Sequence, residues 1–574
     1  MVITAFSSIL LVAMGFFAGV AYSNNKISKE TDISTTSRVD SAAPAGPVPQ
    51  VIQDLCAPSL IKDYCQSEMM KYGGTMTDPK ELVKLSVQLV SHSLQLALKD
   101  AEPLKATTTE PMAKRALEIC DIKINTAMGD LNRSVTEIDK FEPATGEKQI
   151  DNLKTWIEAT LTFQEVCIDA FSNITGPDGH KMRMILQLSG MAACNSMAVI
   201  EGWTKLLEKT NPVPGAAHRR LLGGKARKLL QAQAQSEFPS WVDPAQRRLL
   251  AADPAGVPAD MVVAQDGSGQ YKSIMQAISA IPKKHKTPFV IKVKAGVYKE
   301  HVLIPKYADG IVMIGDGPTK TRVTGSKNFA AGVQTSDTAT FAVVAPNFVA
   351  RNMGFENTAG PEGHQAVAYR SRSDNSVLYN CAFDGYQDTL YAQAYRQFYR
   401  DCTITGTIDF VFGTATTVLQ NCKLIVRKPL PNQACIVTAE GKKDPNGDSA
   451  IVLQGCHITS DPAYFPVRHT NKAYLGRPWK EYSTTIVMNS ILDDLIAPEG
   501  WLPWVGDFGL NTLFYAEFEN KGAGSAQGGR VTWKGIRKLT AAQVETFTPA
   551  KLYVEGDDWI RAANVPYVAG FMKA

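Results

Sequence analysis

The chain has 574 residues, 44% hydrophobic, 20% charged and 8% aromatic, with 10 Cys and a formal net charge of +4. This balance excludes a disordered or collagen-like polymer and leaves room for several domains or one long solenoid. The positive charge is mild and no basic stripe is interleaved with aromatic residues, so nucleic acid is not an expected partner, although an acidic polymer would be attracted weakly at low salt.

Residues 1–25 open with an almost unbroken apolar run from Val2 to Val20, which then meets Ser23, Asn24, Asn25 and Lys26. This reads as an export segment, either a cleaved signal peptide or a retained anchor, without the usual basic start. Two glycosylation acceptors, Asn132-Arg133-Ser134 and Asn173-Ile174-Thr175, agree with export. No C-x-x-C pair or zinc-spaced His/Cys cluster occurs, so disulfides are the expected use of cysteine, and neither metal nor cofactor is expected.

After a polar spacer, residues 26–50, the span 51–208 carries helical periodicity. Asp78-Pro79-Lys80-Glu81 reads as an N-cap, a first-turn proline and a capping-box Glu ahead of Leu82, Leu85, Leu89 and Leu96. Three more apolar series follow: Ala116 to Val135, Ile150 to Leu161, and Ile185, Leu188, Ala192 and Val199. Four helices with short joins predict an all-α antiparallel four-helix bundle. Cys56 with Cys65 and Cys120 with Cys167 are the expected pairs, leaving Cys194 single. His92 reads as surface or filler. Residues 209–250 form a linker holding Arg219-Arg220-Leu221-Leu222, Arg227-Lys228-Leu229-Leu230 and Arg247-Arg248-Leu249-Leu250, which a processing protease could read.

From 251 to 574 short β-prone runs recur in phase. The pattern polar-Cys-x-apolar appears at Asn380 to Phe383, Asp401 to Ile404, Asn421 to Leu424 and Gly455 to Ile458, with cysteine-free versions at Asn352 to Phe355 and Asn489 to Leu492. The cysteines step by 21, 20 and 34 residues, two tight coils followed by one with an insertion. Such repeats fit an all-β parallel β-helix whose coils stack at about 4.8 Å. Stacked residues fall inside the Cα separation of about 4.4–6.8 Å that a disulfide accepts. Cys402 could therefore bridge Cys381 or Cys422, or all could remain stacked free thiols.

The same register places Asp388, seven residues after Cys381, level with Asp409, seven after Cys402. Two carboxyls so close resist double ionisation, which splits them into an acid and a base or nucleophile. Their aromatic, glycine-rich surroundings, Gly385 to Leu390 and Asp409 to Gly413, suit the apolar faces of sugars.

Five segments, Gly296-Val297-Tyr298-Lys299-Glu300, Gln365 to Arg370, Gly385 to Leu390, Asp409 to Gly413 and Leu475-Gly476-Arg477-Pro478-Trp479, together resemble the signature segments of plant pectin methylesterases, in order. Tyr369 departs from the Leu usual there. The bundle resembles the pectin methylesterase inhibitor domain. The resemblance implies a right-handed parallel β-helix, a cell-wall location, methyl-esterified homogalacturonan as substrate, cleavage near Arg219 or Arg247, and a monomeric mature form open to separate inhibitor proteins. It further implies Asp409 as nucleophile, Asp388 as acid, Gln387 and Gln365 as oxyanion donors, and Arg477 as the group orienting Asp409. Trp479 is implied to stack on a sugar, with Thr335, Tyr386, Tyr391, Phe412 and Tyr474 as subsite residues. It also favours a Cys402–Cys422 bridge.

A glycoside hydrolase also needs two carboxyls around a sugar, but amide donors for an oxyanion have no use at an oxocarbenium ion. A binding protein with a dead second domain is disfavoured by five intact segments. A serine esterase is disfavoured because no G-x-S-x-G occurs.

Overall fold

The computed structural model describes residues 47–143, 146–172, 174, 176–210, 258–285, 287–554 and 558–572. The expected export segment, the spacer up to Gly46, the acceptor Asn173 and the dibasic linker motifs lie outside these residues.

The helical part opens with two short helices, α1 (Gln50–Cys56) and α2 (Lys62–Gly73), tied by Cys56–Cys65. Four long helices follow: α3 (Pro79–Thr107), α4 (Pro111–Asp139), α5 (Gly146–Asp169) and α6 (Asp178–Thr210). Asp78 caps α3 by accepting the Lys80 N–H at 2.9 Å, with Pro79 in the first turn. Glu110 and Pro111 serve α4 in the same way. Cys120–Cys167 links α4 to α5, and Cys194 is unpaired. The bundle is as expected, but two helices are rotated from the predicted faces. Leu96 and Leu188 are exposed, while Val83, Val87, Val90 and Leu94 of α3 and Met182, Leu186, Ala193 and Met197 of α6 fill the core. Each helix carries more apolar residues than one stripe can hold, so periodicity alone did not settle which stripe turned inward.

The second part is a parallel β-helix of three sheets, with eleven, eight and seven strands, every registered pair parallel. The repeat read from the sequence is the coil. Gly354, Ala382, Thr403, Lys423, His457 and Ile491 stand on consecutive coils of the eight-stranded sheet. The polar residue of each repeat makes the corner between two sheets: Asn352, Asn380, Asp401, Asn421, Gly455 and Asn489 all have φ between 49° and 62°. Asn, Asp and Gly tolerate this left-handed conformation, which explains the chemistry of the repeat's first position. Neighbouring corners also bond to one another, Asn380 Nδ2 to Asn352 Oδ1 at 2.7 Å and Asn421 Nδ2 to Asp401 Oδ1 at 2.6 Å.

Inside the coil, Phe341, Phe355, Tyr369, Phe383 and Tyr399 form an aromatic column with adjacent centroids 4.8–5.8 Å apart. The departure at Tyr369 is therefore a core ring behind the seven-stranded sheet. Cys381, Cys402, Cys422 and Cys456 form a second buried column, and all four are free thiols. The expected Cys402–Cys422 bridge is absent. Each sulfur instead lies 3.3–3.7 Å from a carbonyl of the preceding coil, Leu378 O for Cys402 and Tyr399 O for Cys422. A weak S–H donor is satisfied there, and Cys402 also lies within hydrogen-bonding reach of the sulfurs of Cys381 and Cys422. C-terminal helices cover the outside of the eleven-stranded sheet, with Val544, Tyr553 and Ile560 packed on Val377, Phe398 and Val418.

Candidate active site

The outer face of the seven-stranded sheet forms the floor of a cleft. Val367, Tyr391, Phe412 and Ala439 pack there as an apolar patch beside Trp479, and Tyr391 stacks on Phe412 at 4.1 Å. Leu390 pairs with Val411 in register, and the Asp388 N–H donates to Ile408 O at 3.0 Å. Counting back along these coils sets Asp388 beside Asp409. Both take the left-handed conformation, φ 63° and 50°, which breaks the strand alternation and aims each carboxyl out of the coil. Both are almost fully buried, at 7% and 5% exposure.

Arg477 follows the strand Ala473–Gly476 and grips Asp409 bidentately, Nε to Oδ1 at 2.8 Å and Nη2 to Oδ2 at 2.6 Å. This fork fixes the carboxylate plane and keeps a counter-charge at the anion. Trp504 lies 4.2 Å from the guanidinium and holds it from the other side. Burial pushes the Asp388 carboxyl well above the ordinary carboxylate range, and the charge of Asp409 adds to this against the pull of Arg477. Gln365 and Gln387 pair as a parallel bridge on neighbouring coils, and both amides are half-buried at the same cavity.

That cavity, about 520 Å³, holds Thr335, Gln365, Gln387, Asp388, Tyr391, Asp409, Phe412, Arg477 and Trp479 along its wall. The structure thus gathers every sequence-expected site residue except two subsite candidates. Tyr386 is taken up by Arg427, whose guanidinium stacks on its ring at 3.8 Å and donates to its hydroxyl at 2.8 Å. Tyr474 is buried in the strand Ala473–Gly476 away from this wall. Trp504, Phe329, Gln334, Lys443 and Lys480 also line the wall and were missed. The Trp501-Leu502-Pro503-Trp504 aromatic pair could have pointed to Trp504, and the position of Lys480 directly after the Leu475 to Trp479 segment could have pointed to Lys480.

The remaining wall comes from the bundle. Glu165, Val166, Asp169 and Ala170, at and just beyond the end of α5, face the two acids across the cavity. Gln334 Nε2 donates to Ala170 O at 2.9 Å, and Arg115 Nε to Asp337 Oδ2 at 2.7 Å. Arg396 donates to Asp151 at 2.8 Å and Asn152 at 2.9 Å, and the Tyr395 hydroxyl donates to Asp130 at 2.6 Å. Lys123 of α4 donates to Gln393 at 3.1 Å, and burial and the nearby Arg372 and Arg370 hold its ammonium well below the usual lysine range. The bundle core runs without a break onto Ala394 and Tyr395 of the β-helix.

A parallel β-helix that opens an acid pair, an arginine and amide donors onto a cleft is the frame of a carboxylic ester hydrolase. Residues 260–557 match the family model described as Pectinesterase, and 50–194 match that of the plant invertase/pectin methylesterase inhibitor. The chain is 44% identical over 573 residues to the probable pectinesterase/pectinesterase inhibitor 21 of Arabidopsis thaliana, covering 100% of this chain and 82% of that relative. A pectinesterase of Petunia integrifolia is 55% identical over 334 residues, covering 58% of this chain and 88% of its own. The solved pectin methylesterase from carrot superposes with a TM-score of 0.54 at 46% identity, covering 55% of this chain and 99% of the carrot chain. The chain belongs to the pectinesterase family and carries an inhibitor-type domain ahead of its catalytic domain.

Proposed function

We propose that the chain hydrolyses the methyl esters of cell-wall homogalacturonan through a covalent acyl intermediate on Asp409, and that the bundle is an autoinhibitory pro-region. The observation that carries the mechanism is the asymmetry of the acid pair: Asp409 is clasped by Arg477, while burial and the neighbouring charge keep the proton on Asp388. A carboxylate oxygen of Asp409 attacks the ester carbonyl, and the tetrahedral oxyanion is received by the amide N–H groups of Gln387 and Gln365. Collapse expels the methoxy group, which takes the Asp388 proton and leaves as methanol. The Asp388 carboxylate then deprotonates a water that attacks the acyl carbon, freeing the uronate and restoring both acids. Trp479, Tyr391 and Phe412 offer ring faces to the sugars, with Thr335 at the rim. Nothing in these steps needs a metal or cofactor.

Autoinhibition is supported by the placement of Glu165, Asp169 and Ala170 over the same cavity, where a polymer would otherwise pass. In this reading 1–25 directs export, 51–208 covers the cleft, and cutting within 209–250 releases 251–574 in the wall. The test is methanol release from methylated polygalacturonate before and after cleavage of the linker, with Asp409→Asn and Asp388→Asn alongside. Turnover that appears on cleavage and vanishes in both variants supports the reading. New reducing ends without methanol, or full turnover in either variant, refute it.

A further inference from the structure

We propose that Lys480 is a subsite for a free carboxylate of the polymer, and that Glu165 and Asp169 occupy it in the substrate's place. The inference rests on the pectinesterase reading of the cleft and deepens it. Lys480 comes three residues after Arg477 and directly after Trp479, with its ammonium 5.4 Å from the Trp479 ring centroid and its side chain on the cavity wall of the two acids. Its acidic partners among the described residues both come from α5: Glu165 Oε2 at 2.8 Å and Asp169 Oδ1 at 2.8 Å. The other cations of this wall within the β-helix are matched there. Arg477 holds Asp409, and Lys443 holds Glu481 at 2.8 Å. Lys480 therefore loses both carboxylates when the bundle leaves.

An ammonium left on the cleft wall beside Trp479 with its two carboxylates gone attracts a ligand that brings an anion. Along homogalacturonan an esterified unit is neutral and a hydrolysed unit is a carboxylate. Lys480 can tell them apart. Seated beside Trp479, it selects chains in which a unit near the reacting ester is already a free acid.

The test uses the bundle-free part 251–574, which the carrot enzyme matches over 99% of its own length, in an Asp388→Asn background that spares the Arg477–Asp409 pair while preventing turnover. A fully de-esterified oligogalacturonate and the same oligomer esterified at every unit are titrated by calorimetry at low salt. Lys480→Gln is expected to weaken the de-esterified oligomer about ten-fold, the effect of one charge-assisted contact, and to change the esterified one far less. Lys480→Arg should keep most of the affinity, which guards against a misfolded variant, and Glu165→Gln with Asp169→Asn in the released bundle should weaken its rebinding to the parent far more than to Lys480→Gln. An equal loss for both oligomers, no loss, or rebinding that ignores the two acids overturns the proposal. Because binding is read without catalysis, failure here is distinct from failure of the pectinesterase reading, which is judged by methanol release from the parent chain.

Discussion

Glu158 of α5 reaches across to the β-helix and accepts the Ser449 backbone N–H with both oxygens, at 3.2 and 3.0 Å, while Oε2 also takes the Asp448 N–H at 3.0 Å. Burial raises its carboxyl from 4.5 to about 7, helped by Asp448 and opposed by Lys442 and the Ser449 bonds. A group whose value is higher docked than free takes up a proton on docking. Its contribution is complete below the free value and is lost as pH rises through the docked one. The ratio of docking constants, native over Glu158→Gln, should therefore fall between pH 4.5 and about 7 by up to about ten-fold per unit, measured on linker-cleaved protein. A ratio independent of pH would show that Glu158 stays ionised at the interface.

Lys123 has the opposite sign. Its ammonium is buried with Arg370 and Arg372, so Lys123→Met should tighten docking, most strongly at low pH, where the native side chain is forced to carry charge. Weaker docking at every pH would mean that the bond to Gln393 outweighs the repulsion.

In the proposed mechanism Asp409→Asn removes the nucleophile, and it should lower kcat by about 10⁴-fold or more, as for residues acting as one unit. Arg477→Lys keeps the charge but loses the fork and should also lower kcat, with KM moving less. Near-native kcat in Arg477→Lys would show that orientation of Asp409 contributes little.

The proposed mechanism needs a proton on Asp388 when methanol departs, and its carboxyl is held well above the ordinary range, so kcat should decline only as pH rises through that elevated value. A kcat that stays level as pH rises through that value would show that Asp388 is not the group that protonates methanol.

Gly413 has φ 132°, and a Cβ there would overlap the Ala392 carbonyl oxygen. Gly413→Ala should cost about 1–3 kcal/mol from backbone strain alone and lower the melting temperature. The clash adjoins Phe412, so activity should fall with it.

Four cysteines are bridged and six are thiols. Denatured, unreduced protein should therefore titrate six thiols with a thiol reagent. A count lower by two, restored by reduction, would put back the bridge that the family resemblance favoured.

The sequence made the coil legible because every coil repeats one costly requirement, a left-handed corner that Asn, Asp or Gly satisfies. The pairing of Asp388 with Asp409 followed from that register. Trp504 and Lys480 did not, since neither belongs to a repeat and each acquires its role from a distant partner, Arg477 for one and α5 for the other. The faces of α3 and α6 were misread at Leu96 and Leu188 for a related reason: which stripe is buried depends on where the other helices lie.

The corners carry one more implication. Because each coil resets its own alignment at Asn380, Asp401, Asn421, Gly455 or Asn489, extra residues added in one excursion cannot propagate as a slip to the next. The long excursion between Cys422 and Cys456, which supplies Lys443 to the cleft, shows the scaffold absorbing such growth. Loops on this β-helix can thus diverge freely in length and chemistry while the acid pair keeps its geometry, letting selection retune which polymers are accepted without rebuilding the catalyst.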